Sequence, residues 1–222
     1  MNNGIVYVAT GKFNYVVSCG CSILSVKRFS DVPITILTDS PVVEALSSIA
    51  DVKVVKIPDD PKLIYPSRWV KTQLAKFTPY DRTLFLDSDI LCVDRFDELW
   101  DYSDDLIIAA DVYPVKYIDG VRYAYYNTGV ILFDRNKTVD LFEDWHNRWL
   151  ETGKWDQPSF AVALSKWGGT RNLVDKFVYN WNVRDARSKF VHYWHGVCNL
   201  SVFPKEDVLR VISMLDPDGS LR

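Results

Sequence analysis

Thr83-Leu84-Phe85-Leu86 runs straight into Asp87-Ser88-Asp89, and this junction constrains the fold more than any other stretch of the chain. Apolar residues at consecutive positions, rather than alternate ones, suit a strand covered on both faces, as in a parallel α/β sheet. Ligands of such sheets sit beyond the carboxyl ends of the strands, where Asp87 and Asp89 emerge. Two carboxylates one residue apart offer hard oxygen ligands to Mn2+ or Mg2+ and leave coordination positions for substrate phosphates. The plainer reading, two acids in a turn, stays open on these residues alone. A second Asp-x-Asp, Asp216-Pro217-Asp218, follows no strand and runs into Gly219, so it reads as a solvated turn.

The flanking pattern alternates strands with helices. Ile5 to Ala9 reads as a first strand and Phe13 to Arg28 as a helix. Pro33 to Leu37 and Val52 to Ile57 read as the next two strands. Between them Thr38-Asp39-Ser40-Pro41 starts a helix, with Asp39 either capping it or meeting a ligand. After a loop rich in Pro and Asp, one helix is expected over Ser67 to Phe77. Further strands are expected at Leu106 to Ala110, Gly129 to Phe133 and Lys189 to Tyr193. Helices are expected around Leu141 to Leu150, from Asp156 as N-cap with Pro158 in the first turn, and over Lys205 to Met214. Such alternation implies right-handed βαβ units, hence an α/β fold with a Rossmann-like, mostly parallel central sheet flanked by helices. No linker-like segment interrupts the 222 residues, so a single domain, 1–222, is expected.

Composition removes some functions. A net charge of −3 without a dense Lys/Arg tract argues against nucleic-acid binding through phosphate neutralisation. No signal peptide or membrane-spanning stretch is visible. Cys19, Cys21, Cys92 and Cys198 lack metal or redox spacing, so reduced thiols and a cytoplasmic location are expected.

Several short words occur in a fixed order: Lys71, Tyr80, Leu86-Asp87-Ser88-Asp89, Asn127-Thr128-Gly129-Val130, Asp156-Gln157, Tyr179-Asn180 and a late histidine. Each is common alone. The ordered set resembles the GT-A fold glycosyltransferases, in particular the glycogenin-like, family 8-like retaining group. That resemblance implies a nucleotide-sugar donor, UDP-linked by preference, and a carbohydrate or protein acceptor. It also implies Mn2+ (or Mg2+) held by Asp87 and Asp89, with Ser88 between them. The third metal ligand would be His192, which ends a strand-like run, with His195 as the alternative. In the family a glycine follows this histidine by three residues, whereas here Gly196 follows His192 by four.

The same resemblance places Lys71 against the donor phosphates and sugar, with Lys62 and Arg68 as other cations. A lysine on a helix is more often simply solvated. The family's Lys-Pro-Trp is absent after Gly196, where Val197-Cys198-Asn199-Leu200 stands instead, and Lys205 is only a distant substitute. Asp156 and Gln157 would lie against the transferred sugar, Gln157 near the anomeric carbon; an ordinary helix start is the competing reading of Asp156. Asn127, Gly129 and Asn180 would contact the donor, although Asn127 to Gly129 also suits a plain turn. Thr10, Tyr15 and Asp39 would meet the base and ribose. Residues 1–90 would then form the nucleotide-sugar half, and 91–222 the acceptor and metal-completing half. His146, on an amphipathic helix, reads as structural. Self-association stays open, as does a catalytically silent binding module. A phosphatase of the haloacid dehalogenase type also ends a strand in Asp-x-Asp, but normally the first strand, and here three precede it.

Overall fold

The computed structural model describes residues 2–11, 13–60, 63–153, 155–193 and 200–217. Strand β1 (Asn3–Val8) leads into helix α1 (Phe13–Val26), then β2 (Ile34–Thr38) and β3 (Asp51–Val54). Two short helices, α2 (Pro66–Lys71) and α3 (Leu74–Phe77), precede β4 (Arg82–Leu86) and the brief β5 (Ile90–Cys92). Next come β6 (Leu106–Ile118), β7 (Val121–Asp134), α4 (Val139–Thr152), α5 (Asp156–Lys166) and β8 (Arg171–Val174). The described chain closes with α6 (Lys176–Tyr179), β9 (Phe190–His192) and α7 (Lys205–Leu215). The main sheet has seven strands in the order β3-β2-β1-β4-β7-β6-β8. Its β4–β7 and β6–β7 pairs are antiparallel and the others parallel. The fold is thus an α/β domain with a mostly parallel sheet, as expected.

Strand geometry explains the consecutive apolar runs. Successive side chains point to opposite faces, and both faces are covered. Ile5, Tyr7, Leu84, Leu86, Val130 and Leu132 join one core, with buried residues of α1 and α7. Val6, Val8, Phe85, Ile131 and Phe133 join the other, with residues of α2 to α5. The chain winds from β1 out to β3, then returns to β4 on the other side of β1. A crevice opens at such a switch point, beyond the strand ends.

Four local expectations need correction. The helix expected over Ser67 to Phe77 breaks at Thr72 and Gln73, where Gln73 leaves the helical region (φ −120°, ψ 24°) and the Thr72 hydroxyl donates back to the Arg68 carbonyl (2.9 Å). The strands expected at 106–110 and 129–133 are the buried ends of a much longer hairpin. Its turn, Asp119-Gly120, has positive φ at both residues (49° and 79°), the signature of a tight two-residue turn. Finally, Trp155 rather than Asp156 occupies the N-cap of α5. The Asp156 carboxylate is taken by Thr128 and two cations instead of by helix amides. Likewise Ser40, not Asp39, precedes the 3-10 stretch Pro41–Leu46 found in place of a full helix.

Candidate active site

Beyond the carboxyl ends of β1 and β4 lies a cavity of about 610 Å3. Thr10, Tyr15, Lys71, Asp87, Ser88, Asp89 and Asp156 all line it, which brings together residues scattered over the sequence. Gly129 and His192 do not line it but contact Asp87 or Asp89 at its wall, Asn127 and Asn180 bond those two in turn, and Gln157 follows Asp156 in α5 with its side chain on Asp111 and Tyr126. Asp39 is exposed at the end of β2 and outside the cavity wall. Lys62, His195 and the segment Gly196 to Asn199 lie outside the described residues.

One end of the cavity is acidic. Main-chain bonds fix its ligands: the Asp87 amide donates to the Gly129 carbonyl (2.8 Å), and the Tyr193 amide to the Asp89 carbonyl (3.1 Å). The antiparallel β5–β9 pair sets Ile90 opposite His192, so the histidine reaches back over the two aspartates. His192 Nε2 lies 3.1 Å from Asp89 Oδ1 and 3.7 Å from Asp87 Oδ2. One ligand atom from each of the three residues falls within 4.8 Å of the others. On the far side of the ring, Nδ1 is 2.7 Å from Asn180 Oδ1. An amide oxygen only accepts, so Nδ1 carries the proton and Nε2 can offer its lone pair to a metal. Two carboxylates and one imidazole suit Mn2+ well and Mg2+ less so. Asn180, expected to touch the donor, places its Oδ1 on His192 and its Nδ2 3.5 Å from the Asn127 carbonyl.

Gly129 has a specific steric reason. A Cβ there would lie 2.2 Å from His192 Cε1, so the imidazole packs where any side chain would be. Asn127 Oδ1 accepts from the Gly129 amide (2.8 Å) within β7, where the β6–β7 register slips between Ile108 and Ala109. In the free protein the acidic end is frustrated. Burial, aided by the charge of Asp89, holds Asp87 above the usual carboxylate range despite Lys71. Burial also disfavours charge on Asp89, but His192 outweighs it and keeps Asp89 below its usual value. For His192, burial opposes protonation, yet Asp89 and Asp87 raise its pKa overall.

The other end is cationic. Lys71, 8% exposed, is not the solvated helix lysine of the plainer reading. Its Nζ sits 2.9 Å from Asp87 Oδ1 and 3.3 Å from Asp156 Oδ2. Burial works against its charge, but the two carboxylates raise its pKa. Asp156 also accepts from the Thr128 hydroxyl (2.9 Å) and lies 3.6 Å from Arg68 Nε. Against burial, Lys71 and Arg68 hold its carboxyl below the usual range. Gln157 Nε2 donates to Asp111 Oδ2 (3.2 Å) and to the Tyr126 carbonyl (3.1 Å). Sequence reasoning missed Asp111. The only signal was Pro114 within the hairpin, where the β6–β7 register slips between Ala110 and Val115 and turns Asp111 toward α5. His146, read as structural, bonds Thr72 through Nδ1 (2.7 Å).

This fold, with an acidic cluster at the switch point, defines the GT-A class. The profile of "Glycosyl transferase family 8" matches residues 7–154, and the chain belongs to that family. A probable galacturonosyltransferase-like 4 of Arabidopsis thaliana is 31% identical over 93 residues, 32% of this chain. The match spans only 26% of that relative's length. Among solved structures, the galactosyltransferase LgtC in complex with donor and acceptor sugar analogues superposes with a TM-score of 0.62, at 16% identity, over 96% of this chain and 95% of that one. The apo-form glycosyltransferase GlyE of Streptococcus pneumoniae TIGR4 gives a TM-score of 0.67 at 15% identity, over 100% of this chain and 64% of that one. At such identities the superpositions establish the fold alone. Among the described residues, no helix is long and apolar enough to cross a membrane.

Proposed function

We propose that this chain is a metal-dependent glycosyltransferase that moves a sugar from a nucleotide diphosphate, UDP by preference, to a carbohydrate or protein acceptor with retention. The observation that carries this reading is the convergence of Asp87, Asp89 and His192 at the rim of the switch-point cavity. A divalent cation held there supplies Lewis-acid stabilisation of the departing diphosphate without proton transfer. Asn180 fixes the imidazole tautomer, and Gly129 makes room for the ring. Lys71, already beside Asp87, brings its ammonium to the phosphate side. Asp156 accepts from sugar hydroxyls. Gln157, with its amide nitrogen anchored by Asp111, offers its carbonyl oxygen near the anomeric carbon. Thr10 and Tyr15 meet the nucleoside, so residues 1–90 hold the donor while 91–222 complete the metal site and face the acceptor. The family membership and the galactosyl- and galacturonosyltransferase relatives support the same chemistry.

Titration calorimetry of UDP with and without Mn2+ tests the reading. Asp89→Asn is expected to abolish the metal-dependent part of UDP binding while leaving the fold intact. Unchanged affinity in that variant would take Asp89 out of the site.

A further inference from the structure

Trp155 is the only exposed tryptophan among the described residues. It is 65% exposed, whereas Trp145 and Trp149 are buried in the core. It occupies the N-cap of α5, immediately before Asp156 and Gln157. Its ring is held in place, for Arg68 Cζ lies over it, 4.8 Å from the centroid, and 3.9 Å from the centroid of Tyr65. Among the described residues the indole N–H has no hydrogen-bond partner, and no other aromatic ring or cation packs on Trp155. Tyr65 and Ile64 (70% exposed) both line the cavity, so its rim beside Arg68 is apolar.

A pre-set indole offers a large contact surface with few torsions left to freeze on binding. In the donor-site reading the nucleotide sugar fills the cavity, so the acceptor must approach the anomeric carbon from outside its wall. Trp155 lies outside that wall, next in sequence to the two residues assigned to the transferred sugar. Peptides dock through strand edges, helix grooves, proline-rich helices or clustered cations. One indole at a helix start is none of these. It does match the C–H face of a single pyranose ring, whose hydroxyls at the ring edge can accept from the indole N–H.

We infer that Trp155 is the acceptor platform, on which a pyranose ring of a carbohydrate acceptor stacks at the mouth of the donor cavity. This rests on the donor-site reading above and settles the acceptor as a sugar rather than a protein segment. The test follows the indole N–H resonances by NMR as lactose, cellobiose or maltose is added to the protein with UDP and Mn2+ present. The Trp155 resonance is identified by its absence from Trp155→Phe. At least one of the three disaccharides is expected to move it saturably, with a Kd of about 1 mM. Calorimetry should show that disaccharide binding about tenfold more weakly to Trp155→Ala, and Trp155→Phe, which keeps a smaller ring, should recover part of the loss. Disaccharide affinity is read against UDP affinity within each variant, so a general loss of stability does not imitate the effect. UDP binding without any response of Trp155 to the three disaccharides, or disaccharide affinity untouched in Trp155→Ala, overturns the inference and leaves the donor site standing. Failure of UDP itself to bind in Mn2+ overturns both.

Discussion

The two ends of the cavity solve opposite electrostatic problems. The acidic end gathers Asp87 and Asp89 with one imidazole as their partner across the strands, and its charges are balanced only if His192 stays protonated. At the cationic end Lys71 and Arg68 bracket Asp156, Thr128 completes the carboxylate's bonding, and the second positive charge is met by Asp87 through Lys71. One end is thus built to be finished by something from solution, and the other is finished by the protein. Lys71 belongs to both, since it touches Asp87 as well as Asp156, and it is the residue whose loss should separate them.

Lys71→Met is expected to have the largest effect. Removing one member of a buried ion pair costs roughly 3–5 kcal/mol because a charge is left without compensation. Asp87 keeps 27% side-chain exposure and Asp156 keeps Arg68, so about 3 kcal/mol is the better figure. In urea unfolding, most of this loss should return on adding Mn2+, because a cation on Asp87 replaces the missing charge. An equal loss with and without Mn2+ would mean that the metal does not sit on Asp87.

Asn180 probes the acidic end at one remove. Asn180→Leu removes the acceptor of the His192 Nδ1 proton, and such losses typically weaken metal affinity by about 10–100-fold. Asn180→Asp keeps an acceptor and should hold Mn2+ within a few-fold of wild type. If both substitutions weaken Mn2+ alike, packing rather than tautomer control explains this residue.

The acidic end was legible in the sequence for a physical reason. An apolar run fixes a strand, a strand fixes where its last residues point, and Asp87 and Asp89 need no distant partner to be placed. His192 was legible because it ends its own short strand. The supporting contacts were not. That Gly129 yields space to His192, and that Asn180 joins the imidazole to the Asn127 carbonyl, depend on pairing across the fold between residues 63 and 53 positions apart. Arg68 stood only as a spare phosphate cation, since nothing local reveals that Tyr65 and Trp155 enclose it. The hairpin turn at Asp119-Gly120 was available as a local signal, flanked by Tyr117, Ile118 and Val121. Its exposed arm alternates too weakly to read as strand beside the apolar halves it extends.

The smallest expected effect is a reversal of slope with pH. Folding raises the pKa of His192 above its ordinary value near 6.5, because Asp89 and Asp87 outweigh burial. The metal-free protein therefore has this stabilisation in full below the unfolded value and loses it as pH rises through the folded one. Metal binding demands the neutral imidazole, so with Mn2+ present the His192 contribution should grow over the same interval. Melting temperatures followed upward from about pH 6, in chelator and in Mn2+, should diverge, and His192→Gln should remove the divergence. Parallel curves in the two media would show that His192 is no ligand, and the acidic end would then hold its cation, if any, by the aspartates alone.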